Sequence, residues 1–271
     1  MWRLYALTGG IALALLGRGC GERSEVVARE RADGDAGASA GGESGEDPGG
    51  EAGAASGGRA GVERPRFLTP APVAGVNDPE AKDQDPTLTD DELELFFFSD
   101  RDGNADIWRA SRADASAPWN APVSVTELNS EDTEQNPAIS RDGLRIWFSS
   151  SREPPGLYFA TRAHRDEPFA APEPIAIDVG DTTGFVIAPS VDVAELRMAI
   201  SIGASDSRDL YEVVRPSLTA SWGDPALLSG VNTDRAESTP FLIDDGRELL
   251  FHSGRSGAGD LFWAYRESPG L

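Results

Sequence analysis

The chain has 271 residues, a formal net charge of −22 and one cysteine, Cys20. A charge this negative disfavours nucleic acid and an anionic membrane surface as partners, and it favours basic proteins or divalent cations. A single cysteine excludes a disulfide bond within the chain.

The N-terminal segment predicts export. Arg3 supplies a positive start, and residues 4–16 form an apolar stretch too short to span a bilayer as a helix. Cys20 follows at the place where a bacterial lipoprotein signal has its lipidated residue. We therefore predict that residues 1–20 are a lipoprotein-like signal peptide with Cys20 as the lipidation site. Cleavage by a different signal peptidase stays open, because Arg18 stands where a small or branched apolar residue is usual.

The next segment, residues 21–64, consists mainly of Gly, Ala, Ser, Glu, Asp and Arg. It has too few apolar residues to bury a core, so it is predicted to be a disordered tether. A flexible coil of this length has a root-mean-square reach of about 35–40 Å, enough to hold a folded domain clear of a membrane.

From residue 65 onward the chain repeats. An aromatic-x-x-Pro signature occurs four times, with starts 52, 50 and 53 residues apart. Its copies are Phe67/Pro70, Trp119/Pro122, Phe169/Pro172 and Trp222/Pro225. A second signature keeps the same step, a proline that opens a short strand, at Pro86, Pro137, Pro189 and Pro240. Units of about fifty residues are typical of the blades of a β-propeller.

Each unit predicts the same order of strands, because β-branched and aromatic residues alternate with turn residues. The second, buried strands are predicted at Leu93–Ser99, Leu144–Ser150, Leu196–Ser201 and Glu248–Ser253. The third strands begin at Asp106, Gly156, Asp209 and Asp260, and they end near Arg112, Arg162, Arg215 and Arg266. No apolar stripe with helical period occurs in residues 65–271, so almost no helix is expected there.

The predicted fold class of residues 65–271 is all-β, a β-propeller of four blades with four antiparallel strands each. The aromatic-x-x-Pro element is normally the outer, last strand of a unit. Here the domain begins with one, at residues 67–76, and ends without one. The N-terminal strand is therefore predicted to close the last blade, which removes the free edges of an open array. A closed monomer follows; the alternative is a larger ring made by two chains.

Polar residues recur at the start of each innermost strand, which in a propeller faces the central channel. These candidate ligand-binding residues at the channel mouth are Asp83, Gln84, Glu134, Gln135 and Glu237. Two of the carboxylates could also act as acid and base in glycoside hydrolysis. The alternative is that they only cap the strand as part of the repeat. The third unit has Val186 and Ile187 there instead.

One turn resembles the first part of a calcium loop, because oxygen-bearing side chains alternate around Gly103. These candidate ligands are Asp100, Asp102, Asn104 and Asp106. Calcium is the single cofactor suggested by the sequence. The alternative is a polar hairpin turn in which Gly103 supplies a positive φ.

Signs of catalysis are otherwise missing. The two histidines, His164 and His252, do not make a zinc cluster, and no serine lies in a Gly-x-Ser-x-Gly context. The chain is therefore predicted not to be an enzyme.

The repeat resembles the Pro-Asp propeller repeat of the TolB-like group. The second unit carries Pro137, Asp142-Gly143, Ser150, Arg152 and Leu157-Tyr158, and the fourth unit carries Pro240, Asp245-Gly246, Ser253, Arg255 and Asp260-Leu261. The resemblance implies a propeller fold, and such repeats occur both in envelope binding proteins and as non-catalytic propellers of peptidases. TolB also has an α/β domain before its propeller, which residues 21–64 cannot form.

Taken together, these features predict an exported cell-envelope lipoprotein. Its propeller is expected to bind an envelope protein or a surface glycan without catalysis, with a lipid anchor in the membrane. The alternative function is a carbohydrate-active hydrolase that uses the channel-mouth carboxylates. A third hypothesis is a structural module stabilised by calcium.

Overall fold

The computed structural model of the chain describes residues 2–7, 11–17, 71–180, 184–243, 245–257 and 259–268. These described residues form strands and turns, and none of them lies in an α-helix. Accordingly, no described segment is a helix long and apolar enough to cross a membrane.

Two strands near the N-terminus, β1 (Trp2–Leu7) and β2 (Ile11–Gly17), pair with each other as an antiparallel hairpin. They lie within the predicted signal peptide, and its export and cleavage stay predictions. Cys20 and the predicted tether, residues 21–64, lie outside the described residues.

Four antiparallel sheets follow and form the four-bladed β-propeller that the repeat predicts. Blade 1 comprises β3 (Asp83–Leu88), β4 (Glu94–Ser99), β5 (Asp106–Ser111) and β6 (Val123–Ser124). Blade 2 comprises β7 (Glu134–Ile139), β8 (Arg145–Ser150), β9 (Gly156–Thr161) and β10 (Glu173–Pro174). Blade 3 comprises β11 (Phe185–Val191), β12 (Arg197–Gly203), β13 (Asp209–Val214) and β14 (Ala226–Leu227). Blade 4 comprises β15 (Glu237–Ile243), β16 (Glu248–Ser253) and β17 (Asp260–Tyr265).

The outer strands are shorter than the sequence suggests. Each of β6, β10 and β14 has only two residues and begins directly after the proline of the aromatic-x-x-Pro signature. The aromatic ring lies before the strand and under the arginine that ends the third strand. The distance from the guanidinium carbon to the ring centroid is 4.3 Å for Arg112/Trp119, 4.6 Å for Arg162/Phe169 and 4.5 Å for Arg215/Trp222. The signature is therefore a cation–π anchor for the outer strand.

The inner strands share a bulge at the repeated proline. The residue before that proline has a positive φ in every blade: 52° at Asp85, 51° at Asn136, 55° at Ala188 and 46° at Thr239. Pairing with the second strand shifts register at the same place. Because proline cannot donate a hydrogen bond to the ladder, the bulge lets the strand continue past it.

The hydrophobic core lies between successive blades. Phe96 and Ile107 of blade 1 pack with Phe148 of blade 2, and all three are fully buried. Trp147 of blade 2 packs in the same way with Met198 of blade 3. Burying a side chain of this size stabilises a fold by about 1.5–3 kcal/mol, so these contacts hold the blades side by side.

The seam between blade 4 and blade 1 differs from the other interfaces. The inner strands of blades 1 to 4 contact one another in chain order, but within the described residues no strand of blade 4 packs comparably on blade 1. Val73 and Val76 cover blade 1 there, against Leu95 and Phe97. Residues 71–76 form no strand, and the rest of the predicted closing strand, residues 67–70, lies outside the described residues.

Closure of the last blade can be tested at Arg266, which occupies in blade 4 the position of the three stacked arginines. If Phe67 completes the repeat, Phe67→Ala and Arg266→Ala will be coupled by about 0.5–2 kcal/mol in a double-mutant cycle on unfolding free energy. Phe67→Ala combined with Arg247→Ala serves as the control, because Arg247 is half-exposed and pairs with Asp245. Additive effects of Phe67→Ala and Arg266→Ala would contradict the predicted closure.

Candidate functional site

The three predicted carboxylates are the first residues of inner strands, where the sequence placed them. Asp83 begins β3, Glu134 begins β7 and Glu237 begins β15. The structure gives each of them partners of its own, in its own blade and in the loop that precedes it.

Glu134 is fully buried and its carboxylate is surrounded by donors. The backbone N–H and the hydroxyl of Ser130 donate to it at 2.8 and 2.9 Å. The hydroxyl of Ser150 donates at 2.6 Å, and the guanidinium of Arg152 lies 2.9 Å away. Both carboxylate oxygens are therefore engaged inside the protein.

Glu237 repeats this arrangement in blade 4 and is also fully buried. Thr233 donates through its N–H at 2.9 Å and through its hydroxyl at 2.7 Å, Ser253 donates at 2.7 Å, and Arg255 lies 3.3 Å away. Burial acts to raise the pKa of Glu237, but the hydrogen bonds from Ser253 and Thr233 and the charge of Arg255 outweigh it, so the pKa lies below its ordinary value.

Asp83 makes the corresponding contacts in blade 1 with a shorter side chain. Its carboxylate accepts from Arg101 at 2.5 Å and from the N–H of Asp78 at 2.7 Å. Arg101 also donates from Nε to the hydroxyl of Ser99 at 2.9 Å. We call the set of acid, serine and arginine in blades 1, 2 and 4 the mouth triad.

Blade 3 has no mouth triad. The strand register places Val186 opposite Ile202, as Glu134 lies opposite Ser150. The predicted second strands end at Ser150 and at Ser201, but the ladder pairs Ser201 with Ile187, so Ser201 corresponds to Ser149. An apolar pair thus replaces the acid and the serine in the third blade.

Gln84 and Gln135 follow the acids in β3 and β7 and are half-buried. They lie opposite Phe98 and Ser149 in the neighbouring strands. Because side chains alternate along a strand, the two amides lie on the opposite face from Asp83 and Glu134. They stay candidates for ligand contact.

A polar chain that the sequence analysis missed runs across the inner strands of three blades. Asn136 donates from Nδ2 to Asp85 Oδ2 at 2.5 Å, Ser149 donates to Asn136 Oδ1 at 3.2 Å, and the N–H of Ala188 donates to the hydroxyl of Ser149 at 3.0 Å. Asp85, Asn136 and Ala188 are the residues before the repeated proline, so this position brings the blades together at the centre. The repeat register itself was the signal that could have found them.

Within this chain of hydrogen bonds, Asp85 has an unusual pKa. Burial raises its pKa to about 7, and the hydrogen bond from Asn136 only partly opposes that change. A carboxyl with this pKa is partly protonated at neutral pH, so it can donate as well as accept.

Three of the four predicted calcium ligands make hydrogen bonds within the protein, and Asp102 is exposed. Asp100 accepts from the N–H of Lys82 at 2.8 Å, and Asn104 donates to Asp106 at 3.1 Å and to the carbonyl of Asp132 at 2.6 Å. Burial, Glu134 and Asp102 raise the pKa of Asp106. In the described part of the chain, no three His, Cys, Asp or Glu side chains are grouped so that they could hold a metal ion. The calcium site stays a prediction without geometric support.

A cleft of about 280 Å³ lies on blade 2, between the loop before β9 and the segment after β10. Its lining includes Pro154, Pro155, Leu157, Ile175 and Ile177, with no ionisable side chain. It offers apolar contact and no acid–base chemistry.

Comparisons with known proteins support the fold. No model of a known protein family matches the chain, and no curated protein sequence matches it. Among solved structures, an endo-arabinase from Bacteroides thetaiotaomicron has 14% sequence identity and a TM-score of 0.51, over 74% of this chain and 80% of that one. A thermostable family-43 glycoside hydrolase has 14% identity and a TM-score of 0.50, over 69% and 73%.

TolB from Acinetobacter baumannii has 14% identity and a TM-score of 0.46, and the match covers 67% of this chain but only 40% of the TolB chain. The matches to the endo-arabinase and to the family-43 glycoside hydrolase show a shared β-propeller fold, and at 14% identity they show nothing about activity.

The mouth triad predicts that a single and a triple substitution in blade 2 differ in their effect on the free energy of unfolding. Glu134→Val alone leaves Arg152 and Ser150 without their buried partner and is expected to cost about 3–5 kcal/mol of unfolding free energy. The triple variant Glu134→Val/Ser150→Ile/Arg152→Ala copies the apolar solution of blade 3, so it should recover most of that loss. Urea denaturation measures both. A triple variant no more stable than the single variant would contradict a structural role for the triad.

The raised pKa of Asp85 predicts that Asp85→Asn stabilises the fold at high pH and not at low pH. Because burial raises the pKa of Asp85 from 3.8 to about 7, its contribution to stability is full below 3.8 and is lost as pH rises through 7. Asp85→Asn should therefore change melting little at pH 4 and stabilise the fold at pH 8 by about 2 kcal/mol, less than the full effect because the side chain of Asp85 is only half-buried. Exposed Asp224→Asn is the control for the charge change. Equal effects of Asp85→Asn at both pH values would refute the pKa assignment.

Proposed function

We propose that this chain is an exported, lipid-anchored protein of the cell envelope whose propeller binds a protein or a surface glycan without catalysis. The predicted signal peptide, Cys20 and the tether of residues 21–64 support this location. The propeller accounts for the strands from β3 onward, so the domain consists of a binding scaffold.

One observation carries the non-catalytic proposal: Glu134 and Glu237 are fully buried with their carboxylates already bound by hydroxyls and arginines. A general acid must offer a proton to substrate, and a base must offer a free oxygen. Neither glutamate does so in this arrangement. Their presence at the channel mouth supports the structural explanation of the repeated acid.

The net charge of the chain limits the kind of partner that it can bind. A formal net charge of −22 opposes contact with nucleic acid and favours a partner with a basic or neutral surface. Gln84 and Gln135 are suited to such contacts, because an amide both donates and accepts hydrogen bonds and carries no charge. We propose that the protein acts as a monomer.

A hydrolase is the alternative, and Asp85 is the observation that favours it. Its pKa of about 7 suits a general acid at neutral pH. Glycoside hydrolysis needs a second carboxylate at about 5–9.5 Å from the first, and the mouth triads already occupy the three acids expected to supply it. The likeness to the two glycoside hydrolases concerns the fold only.

Affinity capture from a cell-envelope extract tests the binding proposal, with the full chain as bait. We expect saturable retention of a partner that is reduced at least fivefold in Gln84→Ala/Gln135→Ala, because these half-buried amides are the proposed uncharged contacts. Asn120→Ala, an exposed substitution near the outer edge of blade 1, is the matched control and should retain the partner fully.

An assay for hydrolysis of a panel of oligosaccharides distinguishes the binding protein from the hydrolase. The binding proposal predicts no turnover by the wild-type chain. Turnover that disappears in Asp85→Asn would overturn the non-catalytic proposal and establish the hydrolase instead.

A further inference from the structure

Blade 3 departs from its neighbours at the end where the mouth triads lie. Val186 and Ile202 stand in place of the acid and the serine, so this blade buries no carboxylate there. The change removes a negative charge from one quarter of the channel mouth, in a chain whose other blades all keep it.

Arg208 lies directly before β13 in this blade and is half-buried. Its Nε is covered and has no hydrogen-bond partner, and among the described residues no ion pair includes it. Burial lowers its pKa. By contrast, Arg101, Arg152 and Arg255 each pair with the acid of their mouth triad. Arg208 is therefore a cation held without a counter-charge.

Ser201 is a second donor without an acceptor in the same blade. Its hydroxyl is fully buried and unpaired, whereas Ser149 at the same position of blade 2 bridges Asn136 and Ala188. Ser201 lies opposite Leu210 in the ladder, and Arg208 is two residues from Leu210. Ser201 and Arg208 therefore both lie beside the start of β13, at the same end of blade 3.

Phe185 adds an exposed ring to this end of blade 3. It lies opposite Gly203 at the end of the ladder, and 54% of its surface is exposed. Gly203 lies against Arg208: a Cβ added at Gly203 would be 3.2 Å from the Cα of Arg208. Gly203 thus lies opposite Phe185 and against the backbone of Arg208, so the two residues flank the same glycine. We call Phe185, Ser201 and Arg208 the blade 3 face.

We propose that the blade 3 face binds the uronic acid residue of a glycan, with Arg208 pairing with the sugar carboxylate and Phe185 packing on the sugar ring. An arginine fork matches a carboxylate in two hydrogen bonds, and few polar groups on an apolar wall are typical of ligand sites. This inference rests on the proposed binding function and names its ligand.

The net charge limits the ligand further. A long polyanion would be repelled by a surface with a formal charge of −22, while one carboxylate next to a single unpaired arginine is attracted locally. The expected ligand is therefore a glycan with isolated uronic acid residues among neutral sugars.

Titration calorimetry of the full chain with methyl glucuronide, methyl glucoside and acetate tests this inference. We expect the glucuronide to bind at least tenfold more tightly than either of the others, a difference of about 1.4 kcal/mol. Arg208→Gln should abolish the preference for the glucuronide. Phe185→Ala should weaken binding of both glycosides. Arg247→Gln and Leu218→Ala, which remove a half-exposed charge at the other end of blade 4 and an exposed apolar side chain, should match the wild type.

Arg208→Lys serves if Arg208→Gln does not fold, since lysine keeps the charge and loses the planar fork, so the preference should fall without vanishing. A glucuronide that binds no better than the glucoside would overturn the inference and leave the binding function standing. Acetate bound as tightly as the glucuronide would refute recognition of the sugar. An unchanged preference in Arg208→Gln would remove Arg208 from the site.

Discussion

The arginine of the mouth triad is the interaction on which the propeller depends. In blade 2, Arg152 pairs with Glu134, contacts the carbonyl of Leu128 in the preceding turn, and lies 5.0 Å from the ring of Tyr158. One side chain thus joins the inner strand, the third strand and the loop that arrives from blade 1. A planar cation with five donors can do this, whereas a lysine cannot satisfy all three directions. The buried glutamate is tolerated only because this cation and the hydroxyls surround it.

The fold could be predicted from sequence because the repeat supplies the same information four times. The position of Pro137 and its three equivalents fixed the inner strands, and arginines such as Arg162 marked the ends of the third strands. Register within a strand was harder: the predicted second strands end at Ser150 and at Ser201, although the ladder places Ile202 at the position of Ser150. Side-chain identity is a weak guide where a unit has lost its motif, and only backbone pairing settles a shift of one residue.

The site was less predictable for a physical reason. A carboxylate at the start of an inner strand gives the same sequence signal whether it faces a ligand or an internal arginine. Glu134 and Glu237 proved to be internal, which depends on Ser130 and Thr233 in loops that have no motif of their own. Asp85 was overlooked because it differs from its equivalents Asn136, Ala188 and Thr239, and the contact to Asn136 spans two blades.

In a repeat fold, residues that recur in every blade serve packing, and residues that break the repeat are better candidates for function. Residues that recur in each blade, such as the arginines stacked on Trp119 and Phe169, satisfy the same packing requirement again and again. Residues that break the pattern are free of that requirement, and their burial is harder to explain by folding alone. The guanidinium of Arg208 is half-buried without a paired carboxylate among the described residues. The apolar side chains of Val186 and Ile202 cannot compensate for its lost hydration. We infer a bound anionic group from this arrangement, because a ligand carboxylate would supply the hydrogen-bond and charge partner that Arg208 lacks among the described residues.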